Sequence, residues 1–96
     1  MSSLLLAPLI ATLDLAAFMR EALSEAEHAG RAGELPIGAV IVIDGQIVSR
    51  GHTQQQAQQS QLRHAELNAL LAGGHTLWEH YERAVLFPTV EPCPMC

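Results

Sequence analysis

"LPIGAVIVIDGQIVSRGH", Leu35 to His52, is the stretch on which the fold turns. Ile37, Ala39, Val40, Ile41, Val42 and Ile43 form a nearly continuous apolar run, the composition of a strand buried on both faces. Asp44-Gly45 then supplies two consecutive residues that tolerate positive φ, which marks a two-residue hairpin turn. Ile47 and Val48 carry the return strand to about Gly51. The stretch predicts an antiparallel hairpin over residues 36 to 51, with a first strand that needs cover above and below.

Upstream, "DLAAFMREALSEAEHAG" from Asp14 has helical periodicity. Leu15, Phe18, Met19, Ala22, Leu23, Ala26 and Ala29 recur at three- and four-residue steps, with Glu21, Glu25 and Arg31 toward solvent. Thr12 or Asp14 is placed to cap its start, and Gly30 or Gly33 to end it. Downstream, "TQQQAQQSQ" at 53 to 61 has no apolar periodicity and reads as a flexible, solvated loop. A second helix is expected from about His64 to Ala72, with Leu67, Leu70 and Leu71 inward and Gly73-Gly74 ending it. "HTLWEHYER" reads as a linker, its Trp78 and Tyr81 as packing residues, and "AVLFPTV" (84 to 90) as a third strand beside the first. Pro88 is awkward there, because proline removes a ladder donor and prefers edges. The order helix, hairpin, helix, strand predicts an α/β, three-layer αβα arrangement with an unpaired edge on the third strand.

Composition narrows the function. An apolar fraction of 49% and a charged fraction of 16% describe a folded chain rather than a disordered one. Ten acids oppose five scattered arginines and no lysine, for a net charge of -5, so there is no electrostatic footprint for a polyanion. "MSSLLLAPLIATL" is apolar, but it lacks a positive n-region, contains Pro8 and is too short to span a bilayer. Residues 1–13 are therefore read as an N-terminal arm rather than a signal peptide, and the compartment as cytoplasmic and reducing. The only two cysteines, Cys93 and Cys96 in "PTVEPCPMC", are then expected to bind metal or to be redox-active rather than to form a structural disulfide.

"HAE", His64 to Glu66, decides between those two uses. One histidine and two C-x-x-C thiolates make three zinc ligands of the usual types and leave a fourth tetrahedral position open, as catalytic sites do. Glu66, two residues beyond His64, is placed to reach a water in that position without coordinating the metal. Pro94 suits the first turn of a helix, which would put Cys93 and Cys96 at a helix N-terminus where N–H groups favour thiolates.

The linked pattern H-A-E and P-C-x-x-C resembles the cytidine/deoxycytidylate-type zinc deaminase superfamily, nearest its tRNA adenosine deaminase and guanine deaminase branch. "MREAL", "LPIGAVIV", "HAELNAL" and "TVEPCPMC" all look like family segments in the expected order, from about Asp14 to Cys96. The resemblance implies a cytidine deaminase-like fold with a mixed sheet, incomplete at its C-terminus, with residues 14–96 as the N-terminal portion of the domain. It implies zinc held by His64, Cys93 and Cys96, and hydrolytic deamination with Glu66 carrying the proton to the departing ammonia. It also implies a homodimer when the domain is complete. Thr53 stands where such deaminases carry a substrate-contacting asparagine, and Ile37, Gly38, Ala39 and His52 are further candidates for the pocket wall. "QSQLR" replaces the usual Asp-Pro and small residue before the histidine, which leaves the metal chemistry alone but opens the question of substrate.

"EPCPMC" favours a purine, guanine or adenosine, whereas "HAELNAL" also suits cytosine or deoxycytidylate. The acidic balance favours a small molecule over tRNA, and no membrane partner is expected. Two readings outside the enzyme class remain open. A redox module explains the C-x-x-C but not H-A-E; a non-catalytic zinc-bearing scaffold explains the metal motif but not the retention of Glu66.

Overall fold

The computed structural model describes residues 14–93 and 96. The N-terminal arm of residues 1–13, with Thr12, and Pro94 and Met95, with the helix start expected there, lie outside the described residues. Helix α1 spans Leu15–Arg31. Asp14 caps it by accepting the Ala17 N–H at 3.0 Å, and the chain leaves it through Gly33 at φ +84°. Strands β1 (Gly38–Ile43) and β2 (Gln46–His52) form the hairpin, with Asp44 at φ 51° and Gly45 at φ 78° in the turn.

The double burial expected of β1 holds at every one of its residues. Alternate side chains enter two separate cores. Val40 and Val42 pack with Ala22, Phe18 and Met19 of α1 and with Phe87. Ala39 and Ile41 pack with the second helix, α2 (Ala65–His80), through Ala65, Ala69 and Leu77. Val40, Ile41 and Val42 are the largest fully buried side chains, each contributing about 1.5–3 kcal/mol of transfer free energy.

Two glycines set how closely the helices approach. A Cβ on Gly38 would lie 2.3 Å from the Ala22 carbonyl oxygen and 2.4 Å from the Ala26 nitrogen. On Gly51 it would lie 2.3 Å from the Ala65 oxygen and 2.3 Å from the Ala69 nitrogen. Both obstacles are helix backbone, so no rotamer change relieves them. Gly38→Ala is expected to cost about 3 kcal/mol, the upper end for overpacking, read as a fall in the urea midpoint. An unchanged midpoint would contradict this packing.

Strand β3 (Ala84–Pro88) pairs antiparallel with β1, giving the order β2-β1-β3 with the third strand beside the first. The expected mixed sheet is antiparallel at both described ladders, while β2 and β3 run parallel to each other on either side of β1. The strand ends two residues sooner than expected, and its proline is accommodated at that end. Thr89 N–H donates to Gly38 C=O at 2.9 Å, so the preceding nitrogen, that of Pro88, points away from β1. That outer edge of β3 has no strand partner among the described residues.

Five expectations need correction. "HTLWEHYER" is no linker: α2 continues to His80 across a kink at Gly74 (φ 51°, ψ -132°), and Tyr81–Arg83 form a 3-10 turn. The glycine pair bends the helix and does not end it. Leu70 and Leu71 are exposed instead of inward, because α2 meets the sheet through its smallest residues, Ala65, Ala69 and Gly73. Trp78 and Tyr81 are exposed as well, at 77% and 64%. Finally, the glutamine-rich stretch folds into hydrogen-bonded turns closed where Gln54 N–H donates to Arg63 C=O at 3.0 Å.

Candidate metal centre

β1 begins at the same end of the sheet where β2 and β3 finish, and α2 starts there too. Each strand therefore delivers its flanking residues to one place. His64 is the N-cap residue of α2, in extended conformation at φ -69° and ψ 155°, so its ring leaves the helix toward the sheet end. Asn68, one turn on and buried, braces this entry. Its Nδ2 donates to His52 C=O at 2.8 Å and to Arg63 C=O at 3.3 Å. From β3, Thr89 continues the pairing by accepting the Gly38 N–H on Oγ1 at 3.1 Å. The chain then turns under the start of α2, and Cys96 N–H donates to Cys93 C=O at 2.9 Å, closing a turn that brings the second thiol back beside the first.

The result is a triangle of ligand atoms. His64 Nδ1 is 3.6 Å from Cys93 Sγ and 3.6 Å from Cys96 Sγ, and the two sulfurs are 3.5 Å apart. A tetrahedral ion with Zn–S of about 2.3 Å and Zn–N of about 2.0–2.1 Å needs edges of roughly 3.6 Å (N to S) and 3.8 Å (S to S). The donor types and their separations thus fit one zinc ion, with the fourth corner free. The two cysteines are not joined to each other, since 3.5 Å is far beyond the roughly 2.05 Å of a disulfide. Among the described residues this is the one group of three or more such side chains close enough to share an ion.

Burial pushes the Cys96 thiol up from 9.0 to about 11, with the Cys93 hydrogen bond and the negative charge of Glu66 adding to the rise. The folded value lies above the unfolded one. The metal-free fold is therefore unpenalised below about pH 9 and loses stability as pH rises from there through about 11. Zinc must displace the thiol proton, so its uptake releases protons and tightens with pH. In chelator, the urea midpoint is expected to fall between about pH 9 and 11, and Cys96→Ser to flatten the fall; equal slopes in both proteins would contradict the assignment.

Beside the triangle lies a cavity of about 220 Å³. Glu66, only 5% exposed, lines it and accepts no hydrogen bond from a described residue. Among the described residues Ser49 Oγ is the buried side-chain atom without a partner; the Glu66 oxygens are instead open to the cavity, where the donor of a water or ligand can meet them. Of the expected pocket residues, Ile37 and Thr53 line the cavity. Thr53 is buried and directs its hydroxyl to Ile37 C=O at 3.4 Å.

Gly38, Ala39 and His52 are not among its described lining residues, and each has another place. Gly38 is pressed against α1, Ala39 is in the α2-side core, and His52 points to the α1 side. There His52 Nδ1 lies 3.2 Å from Glu25 Oε1 and its ring stacks on His28 with centroids 4.6 Å apart. The alternation of a strand separates the neighbours: Gly51 packs on α2, His52 faces α1, and Thr53 returns to the cavity. Leu35, Gln55, Val90 and Glu91 also line the cavity. Leu35, Val90 and Glu91 lie within the family-like segments "LPIGAVIV" and "TVEPCPMC", whereas Gln55 carries no sequence signal, since loop residues have no periodicity.

Residues 13–96 match the sequence profile of the cytidine and deoxycytidylate deaminase zinc-binding region. The chain is 43% identical over 81 residues to the tRNA-specific adenosine deaminase of Bacillus subtilis (strain 168), covering 82% of this chain and 50% of the relative. Against the tRNA-specific adenosine deaminase of Aquifex aeolicus it is 39% identical over 80 residues, covering 82% and 53%. Among solved structures, one from a study of A-to-I editing by tRNA:A34 deaminases superposes with TM-score 0.78 at 38% identity, covering 84% of this chain and 63% of that one. Guanine deaminase from Bacillus subtilis superposes with TM-score 0.74 at 32% identity, covering 84% and 53%. The chain spans about half the length of the curated relatives it matches.

Proposed function

This chain belongs to the cytidine and deoxycytidylate deaminase zinc-binding family, and on that premise we propose that residues 14–96 are the N-terminal portion of a hydrolytic purine deaminase. Its first candidate substrate is adenosine held in tRNA. In this reading His64, Cys93 and Cys96 hold zinc, Glu66 is the catalytic acid–base, and Ile37 and Thr53 wall the substrate. The observation that carries it is the Glu66 carboxylate lining a cavity next to a three-donor zinc triangle with an open corner.

Zinc, when bound, supplies the Lewis acid that activates water. The rest is the work of the chain. Deamination adds water to the amino-bearing carbon and breaks the C–N bond, so one proton must leave the water and one must reach the departing ammonia. Glu66 takes the first and returns it as the second, and its burial keeps bulk water from intercepting the proton. Leu35, Ile37 and Val90 give the cavity apolar walls that suit the faces of a planar base.

The tRNA assignment draws support from the relatives named tRNA-specific adenosine deaminase. A second reading, a free purine such as guanine, is favoured by the net charge of -5 without lysine and by the likeness to guanine deaminase. Among the described residues no helix is long and apolar enough to cross a membrane; a cytoplasmic location and a homodimer of complete domains belong to this reading by way of the bacterial tRNA-specific relatives. Ammonia release from an anticodon stem-loop, free adenosine, guanine and cytosine distinguishes the readings. The proposal expects release from the stem-loop in preference to the free compounds. Release from cytosine alone, or from none of them by zinc-loaded full-length protein, would overturn it.

A further inference from the structure

Beyond Thr53, the glutamine-rich loop between β2 and α2 has no role in the mechanism above, yet it is built as a fixed wall. Inside its Gln54–Arg63 closure, Gln58 N–H donates to Gln54 C=O at 2.9 Å and Ser60 N–H to Gln55 C=O at 3.0 Å. From outside, Glu34 clamps it. This carboxylate, only 8% exposed, accepts the N–H of Gln56 at 3.0 Å and of Ala57 at 2.9 Å, one on each oxygen. Hydrogen bonds to a charged acceptor are roughly twice as strong as neutral ones, so the clamp is a firm one. It grips the two residues that follow Gln55, and Leu35, beside Glu34, lines the same cavity as Gln55.

The side chain of Gln55 is oriented as well. Its Nε2 donates to Gln61 C=O at 3.1 Å and to Gln61 Oε1 at 3.4 Å. The nitrogen is thus turned to Gln61, and Oε1 accepts nothing from a described residue. Gln55 thus brings a polar group with a spare acceptor to a cavity whose walls are largely Leu35, Ile37 and Val90. A few fixed polar atoms among apolar walls are what orient a ligand.

We propose that Gln55 is a specificity-determining residue whose Oε1 accepts an N–H or O–H of the nucleoside substrate, and that Glu34 is the positioning residue that holds it at the cavity. The assignment rests on the deaminase reading for its substrate class. Losing one such bond, with the substrate donor left unpaired, costs about tenfold in affinity, and a site built around the bond rejects analogues lacking the donor more strongly still.

Zinc-loaded full-length protein is titrated by calorimetry with an anticodon stem-loop bearing adenosine, the same stem-loop bearing 2′-deoxyadenosine or purine riboside in its place, and free adenosine and guanosine, and ammonia release is followed on the same samples. Gln55→Leu is expected to keep one zinc per chain, to bind the best compound about tenfold more weakly, and to lose the discrimination between it and the analogue lacking one donor. Glu34→Gln is expected to raise KM with kcat held, because only the placement of Gln55 changes. Wild-type affinities and rank order in Gln55→Leu would overturn the proposal, as would loss of zinc together with binding. Binding without ammonia release in the wild type would sink the deaminase reading while Gln55 is still judged by the titration. No binding of any compound would overturn both.

Discussion

Glu66→Gln is expected to keep its zinc and to lose turnover by about 10²–10⁴-fold, the usual worth of a positioned acid–base group. The amide preserves the size of the side chain at a site that is only 5% exposed, so packing at the start of α2 is retained. It cannot accept and return a proton, and it does not ligate the metal, so chemistry and metal content separate. Metal by elemental analysis and ammonia release on the same full-length samples make the comparison. A Gln variant that deaminates at near wild-type rate would show that Glu66 is not the shuttle. A variant that lost its zinc would show that the carboxylate helps to hold the ion, contrary to the three-donor triangle.

Cys93→Ala is expected to do the opposite, removing metal and stability together. Cys93 Sγ is a corner of the triangle, 3.6 Å from His64 Nδ1 and 3.5 Å from Cys96 Sγ. It also ties the segment after β3 to the start of α2, so the ion cross-links two parts of the fold. With free zinc at about 1,000 times its dissociation constant, binding adds about 4 kcal/mol to the folded state. Wild-type protein should lose that increment when a chelator is added, and Cys93→Ala should have none to lose. If the variant's urea midpoint still responds to chelator as the wild type does, Cys93 is not a ligand.

The hairpin and the metal triad were legible because each rests on a short-range rule. β1 advertises double burial in six consecutive buried positions, and Asp44-Gly45 can make few other turns. His64, Glu66, Cys93 and Cys96 announce themselves by residue type and spacing, and the fold brings the three donors together. What failed was decided by tertiary contact. Gly73-Gly74 has the composition of a helix end, but Leu77 beyond it packs into the α2-side core, so the helix resumes after a kink. Leu70 and Leu71 follow a helical period, yet Gly51 admits α2 so closely that its first turns meet the sheet through the small residues Ala65 and Ala69. His52 and Thr53 are neighbours in sequence and face opposite layers. The clamp of Glu34 on the glutamine-rich loop joins residues 22 and 23 positions apart through backbone N–H groups, which no side-chain pattern records.

Whether one zinc sits on one histidine and two cysteines is the claim from which the rest follows, and X-ray absorption at the zinc edge of the loaded protein tests it most directly. The account predicts one zinc per chain with two sulfur neighbours at about 2.3 Å and two lighter neighbours at about 2.0–2.1 Å, one of the latter lost in a His64→Ala variant. Four sulfurs shared between chains, no sulfur at all, or a spectrum unchanged by His64→Ala would contradict it.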